Sequence, residues 1–299
     1  MVEGNPRGAE ETRERLSEFI ESKITVHQCH FEKFRFDRHY DLVWAEGCLP
    51  HQSDPLLVLN WISEFVKERG ILCLTTANGV SYLSETLRRL FRDRYFMTSE
   101  DAVDQAKSLV SFYKPHFNKL KGMSRPIEDW ILDSIVQPLE DRKLLSIPEV
   151  IKNLSQAFDV YGSSPRFITD WRWYKEIIGE DCGFNTRALN DYYQNNLNLL
   201  DYRFKFPTHS EKFGRRLENL GSRSWELMCS IENGNYDSWK KLFNLLDELI
   251  EHVESIAPDT VLAINEAKDF LMGENPEWNL EYFPQWWGRG QQYISFLRR

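Results

Sequence analysis

Four points along the chain combine an apolar run with a polar residue where the run stops. They are Glu3 after Val2, His30 after "ITVHQC", Glu46 after "YDLVWA", and Asn78 after "ILCLTTA". In parallel α/β sheets, ligands bind outside the carboxyl ends of the strands, so chemistry is expected at these positions. An acidic residue at a strand end can accept hydrogen bonds from both ribose hydroxyls of a nucleotide-like cofactor, and Glu3 is the candidate. Further on, "DWRWYKEI" groups Trp171, Trp173 and Tyr174, which could stack on a bound ring or pack inside a helical core. The "GRG" near the end lacks both G-x-G-x-x-G and a following helix, so a tight turn into a last strand is preferred over a phosphate loop.

These residues need strands and helices to hold them. "AEETRERLSEFIES" places Leu16, Phe19 and Ile20 at helical spacing. "KITVHQCHF" is short and β-branched, which predicts a strand, and the continuous apolar "YDLVWAE" predicts a strand buried on both faces. "SDPLLVLNWISEFVKERG" reads as a helix with Ser53 or Asp54 as N-cap, Pro55 in the first turn and Gly70 as its stop. "ILCLTTANG" is a further apolar strand. Short links between these elements indicate a parallel α/β sheet. From about Val80 the alternation gives way to long helical patterns, including the stripe Leu242, Leu245, Leu246, Leu249, Val253 and Ile256, a packing face. "FDVYGS" and "QYISFL" return to strand character. The chain therefore divides into a partial α/β core at 1–80, a helical insertion at 81–147, and a helix and strand back in the core at 148–165. A second helical insertion follows at 166–284, and a C-terminal core strand at 285–299.

Composition narrows the classes. The 299 residues are 41% hydrophobic and carry a net charge of −9, enough for a sizeable core and unsuited to nucleic acid as the main partner. Arg88, Arg89, Arg92 and Arg94 form a local basic cluster, read as the solvated face of a helix. Ten Trp and nineteen Phe fit a large helical core, with an aromatic binding surface as the alternative. No apolar run reaches the length of a membrane span. The five cysteines show no metal-ligand spacing, so no metal site is expected, and reduced thiols in a cytoplasmic protein fit them best.

The order "VEGNPRGAEETRERL … ITVHQCHFEKF … HYDLVWAEGCLPHQSDPLLVLNWISEFVKERGILCLTTANGVS" resembles a class I S-adenosylmethionine-dependent methyltransferase from the end of that family's second strand onward. The fourth-strand block matches in Asp41, Leu42, Val43, Glu46, Leu49, His51, Asp54 and Pro55, and "FDVYGSSP" and "GRGQQYISFL" resemble the sixth and seventh strands. The resemblance implies an α/β fold, an incomplete Rossmann-like methyltransferase sheet with large α-helical insertions. It implies S-adenosylmethionine as cofactor, with Glu3 on its ribose beside Gly4 and Asn5, and His30 and Phe31 near adenine. Ala45, Glu46 and Gly47 would lie beside the methionine part.

The family's first strand, central in its sheet, and its Gly-rich loop have no counterpart in this sequence. The resemblance therefore reads the chain as N-terminally truncated, through a late start, a half supplied by another chain, or decay to a non-catalytic relative. The expected activity is methyl transfer to an unidentified O, N or C acceptor, in-line and governed by alignment. Glu46 and His51 are the candidate bases by location, His51 alternatively capping or packing at the helix start. The alternative is a non-catalytic methyltransferase-like scaffold, or one half of a split enzyme, acting through partner binding.

Overall fold

The computed structural model describes residues 1–19, 24–35, 38–96, 101–139, 143–168, 183–273 and 279–299, with Glu32 and His51 as backbone alone. Two short parallel strands, β1 (Val2–Glu3) and β2 (His27–Gln28), pair in the register Val2↔His27 and Glu3↔Gln28. Between them runs α1 (Pro6–Leu16), capped by the Asn5 side chain, which accepts from the backbone N–H groups of Arg7 and Gly8. A separate four-stranded sheet holds β3 (Tyr40–Ala45), β4 (Val66–Thr76), β5 (Phe158–Ser164) and β6 (Gln292–Arg298) in the order β3-β4-β6-β5. β3 and β4 are parallel, whereas β6 runs antiparallel to both neighbours, so the sheet is mixed rather than parallel throughout.

One face of this sheet carries Ala45, Leu72, Leu74, Val160, Ile294 and Phe296, all buried in the main core. The other face is open beside β3. Leu42 and Trp44 are 55% and 56% exposed, so β3 is not buried on both faces as its continuous apolar run predicts. The two edges also differ. Asn185 closes the outer edge of β5, accepting from Val160 N–H at 2.9 Å and donating to Phe158 O at 2.8 Å. β3 pairs only with β4 among the described residues.

Asp54 caps α2 (Pro55–Ser63), accepting from Leu57 N–H at 3.0 Å. The helix then stops at Ser63, and Gly70 lies inside β4 rather than after a helix. The register between β3 and β4 jumps from Tyr40↔Val66 to Leu42↔Ile71, a bulge that includes Arg69 at φ 61°. A Cβ at Gly70 would come within 2.9 Å of Lys67 O and Val66 Cγ1, so the glycine is required by the bulge. α1 is also shorter than its pattern: it ends at Leu16, and Phe19 is 61% exposed. Ile20 lies outside the described residues.

The helices are α3 (Leu83–Tyr95), α4 (Ala102–Phe117), α5 (Ile127–Trp130, continued by a π-helical stretch Ile131–Val136), α6 (Ile147–Leu154), α7 (Phe184–Asn195), α8 (Glu211–Glu232), α9 (Ser238–Val253) and α10 (Pro258–Met272). The stripe on α9 is buried from Leu242 to Val253. The aromatic residues pack on one another between helices, with Phe91 4.6 Å from Phe270 and 4.8 Å from Phe283, ring centre to ring centre.

The basic cluster of α3 is a solvated face only at Arg94, which is exposed. Arg88, Arg89 and Arg92 are buried. Arg89 donates to both carboxylate oxygens of Glu232 at 2.7 and 2.9 Å, and Arg92 donates to the same carboxylate at 2.9 Å. The Arg88 guanidinium sits 3.7 Å over the Trp287 ring and donates to Trp286 O at 2.8 Å. Gly288 in "GRG" supports close packing rather than phosphate binding, since a Cβ there would lie 1.9 Å from Ser81 O. Cys29, Cys48, Cys73 and Cys229 are free thiols, and Cys182 lies outside the described residues. Among the described residues no helix is long and apolar enough to cross a membrane.

Candidate functional site

The end of β1 gathers one group of the expected residues. The Asn5 N–H donates to Glu3 Oε1 at 2.7 Å, while Oε2 has no partner among the described residues. Gly8, in the first turn of α1, leaves room for this carboxyl, because a Cβ there would reach 3.2 Å from Glu3 Cδ. Across the strand pair, a Cβ on Gly4 would lie 3.7 Å from His30 Nδ1. Phe31 opens a 3₁₀ turn and meets Trp61 of α2 at 6.4 Å. The structure thus brings Glu3, Gly4, Asn5 and His30 together at one corner, with Phe31 next to it.

The second group follows β3. Ala45 is the buried last residue of the strand, and Glu46 stands exposed after it. The Glu46 carboxylate accepts from the Tyr293 hydroxyl and from Trp44 Nε1, and these two hydrogen bonds hold its pKa below the usual carboxylate range. A carboxylate so stabilised is a weak base. Gly47 turns the chain at φ 67°, and its N–H donates to Thr75 Oγ1 of β4 at 2.7 Å. His51 closes a 3₁₀ turn, Leu49–His51, just before α2, and its side chain lies outside the described residues.

Just past the carboxyl end of β4 lies a cavity of about 770 Å³. Its walls are the first turn of α2 (Asp54 to Leu56), Asn78 after β4, the start of α6, and one face of α8 from Arg215 to Asn233. Glycine sets the approach of α8. A Cβ on Gly79 would come within 2.1 Å of Gly221 O, and one on Gly221 within 2.5 Å of Val80 N. The helix and the loop after β4 therefore touch backbone to backbone, which carries Glu218, one turn earlier on α8, toward Asn78.

There a short relay forms. Asn78 Nδ2 donates to the Tyr192 hydroxyl at 2.6 Å, and that hydroxyl donates to Glu218 Oε2 at 2.6 Å. Glu218 Oε1 is shut away from solvent without a hydrogen-bond partner. Burial pushes the Glu218 carboxyl up to about 7, and burial beside that carboxyl pushes Tyr192 well above the usual phenol range. Two turns farther along α8, Trp225 is 9% exposed and its indole Nε1 is likewise unpartnered. A sizeable cavity lined by a carboxyl that titrates near neutrality has the attributes of an acid–base site.

Of the residues expected to carry chemistry, Asn78 lies in this cavity, whereas Glu3, His30 and Glu46 do not line it. Sequence reasoning missed Glu218, Tyr192 and Trp225. A signal for them was present: Gly214 and Gly221 sit inside one long helix, where glycine costs about 1 kcal/mol each, and such residues mark close backbone approach. Trp171, Trp173 and Tyr174 lie outside the described residues. Among the described residues, no three His, Cys, Asp or Glu side chains are grouped to hold a metal ion.

No family model matches the sequence, and no curated protein matches it. Among solved structures, PKMT2 from Rickettsia typhi is similar over 63% of this chain and 37% of its own length, with 12% identity and a TM-score of 0.38. The chain thus spans a little over a third of that protein, and a likeness of this size decides nothing about activity.

Proposed function

We propose that this chain transfers a methyl group from S-adenosylmethionine to a nucleophile held in the cavity past the carboxyl end of β4. The observation that carries this reading is Glu218, a carboxyl near neutrality placed in a cavity where an α/β sheet presents its ligands. The strand arrangement supports it. The blocks that resemble the family's fourth to seventh strands share one sheet, those resembling the second and third form another, and β1 and β3 each pair on one side only among the described residues.

Glu3, Gly4, Asn5, His30, Phe31, Ala45, Glu46 and Gly47 are the residues proposed to hold the cofactor. They fit its ribose side: Glu3 Oε2 is an available acceptor beside glycines that add no Cβ. When bound, the cofactor supplies an electrophilic methyl on a sulfonium. An N–H or O–H acceptor must lose its proton as its lone pair becomes a bond, and Glu218 is the group placed to take it. Tyr192 fixes the orientation of that carboxyl through Oε2. Glu46 serves as a positioned carboxylate rather than as the base.

The partner-binding reading rests on a different observation, the exposed Leu42 and Trp44 on the open face of β3. One experiment separates the two. The chain is incubated with methyl-labelled S-adenosylmethionine and a fractionated small-molecule extract. Label transfer that falls at least about tenfold in Glu218→Gln supports the enzyme. No transfer from any fraction, with no cofactor bound, favours the scaffold.

A further inference from the structure

We infer that the cavity takes an amine, its nitrogen paired with the Glu218 carboxylate and a hydrogen-bond acceptor farther along the molecule receiving the Trp225 indole N–H. The inference rests on the acceptor-site reading above and narrows its substrate class.

Glu218 lacks a positive partner. Among the described residues no Lys or Arg forms an ion pair with it; Oε1 lacks a well-formed hydrogen bond, and the groups that favour its charge, Tyr192, Asn196 and Ser146, are all neutral. The cation of α8 that lines the cavity with it, Arg215, is committed elsewhere: its Nε donates to Glu211 at 2.7 Å and its guanidinium lies 4.1 Å over the Tyr193 ring. Facing Glu218 from the other elements are Tyr192 of α7 and Glu149 of α6, whose negative charge opposes ionisation of Glu218 further. Asp54 caps α2, Glu226 is a further acid on α8, and Lys143 and Lys152 are exposed at the rim. The interior wall thus carries an uncompensated carboxyl. A hydroxyl ligand would fill the open lone pair and leave the charge unpaired, whereas an ammonium supplies both the donor and the opposite charge.

Trp225 adds a second requirement. It is seven residues on from Glu218, on the same face of α8, and a rise of about 1.5 Å per residue separates their backbones by roughly 10 Å. Its buried N–H is a donor without an acceptor. An ammonium cannot satisfy it, so the amine must carry a carbonyl or hydroxyl oxygen some bonds away. A cavity of about 770 Å³ holds a molecule of that length.

The test uses 6-aminohexanamide as probe, with hexanamide and hexylamine as controls, titrated calorimetrically into the whole chain without cofactor. The amine stays protonated below about pH 10 while Glu218 ionises near 7, so 6-aminohexanamide should bind about tenfold tighter at pH 8 than at pH 6. Glu218→Gln should weaken it at least about tenfold, and Trp225→Phe about three- to tenfold while leaving hexylamine unchanged. Hexanamide binding as tightly as the amine overturns the inference, as does amine binding unaffected by Glu218→Gln or no saturation in the millimolar range. An unaltered affinity in Trp225→Phe removes the second contact. Thermal melts of both variants establish that each is folded. Since cofactor is left out, amine binding without cofactor binding sinks methyl transfer alone, and cofactor binding without amine binding sinks the amine alone.

Discussion

The Tyr192 hydroxyl lies 2.6 Å from Glu218 Oε2 and donates to it, while the same oxygen accepts from Asn78. This one contact joins the loop after β4 to two helices distant in sequence. It fixes the carboxyl in orientation without adding a positive charge. Burial therefore keeps the proton on Glu218 to unusually high pH.

That has a consequence for stability. In the unfolded chain Glu218 titrates near about 4.3, and in the folded chain near about 7. Between these values the folded state holds the extra proton, so this group's contribution falls as pH rises through the window and stays low above it. Glu218→Gln keeps an acceptor for Tyr192 and removes the titration. It should match the parent near pH 4 and exceed it by about 2–4 kcal/mol at pH 8.5. Urea unfolding at both pH values checks this, and a gap that does not widen with pH contradicts it.

Glu232 joins Arg89 and Arg92 in a buried group, its side chain 12% exposed. Removing Glu232 leaves Arg89 with backbone carbonyls alone and Arg92 with Asp93 as its one carboxylate, and breaking a buried group of this kind costs about 3–5 kcal/mol. Glu232→Ala should lower the unfolding free energy by that amount, as read by chemical denaturation. A loss below about 1 kcal/mol would mean that the arginines find water or other acceptors instead.

Gly221→Ala separates helix propensity from packing. In isolation the change favours a helix by about 1 kcal/mol. Here the new Cβ meets Val80 N at 2.5 Å, and backbone has to move. A net destabilisation of about 2 kcal/mol is expected, together with loss of the calorimetric 6-aminohexanamide signal as α8 shifts away from Asn78. A stabilised variant would show that the approach of α8 to the loop is looser than described.

Local features were legible in the sequence because they depend on near neighbours. The Asp54 cap, the stripe of α9, and the strands at 158–164 and 292–298 fall where periodicity and turn chemistry place them. Features that depend on distant partners were not. An apolar run such as "YDLVWA" does not reveal whether anything covers Leu42 and Trp44. Arg89 and Arg92 of α3 look solvated until Glu232, some 140 residues later, is set against them. Glu218 is one glutamate among many in amphipathic helices, and only the Gly79–Gly221 contact and Tyr192 single it out. The corner at Glu3 was readable because adjacent strand ends bring its residues together, whereas the cavity assembles from five separate stretches of chain.

Calorimetric titration of S-adenosylmethionine into the parent chain and Glu3→Ala tests the proposed function most directly. Saturable binding to the parent is expected, weakened by about 1–3 kcal/mol in the variant through loss of charge-assisted hydrogen bonds to the ribose. No binding to the parent, or equal affinity in both proteins, would contradict it.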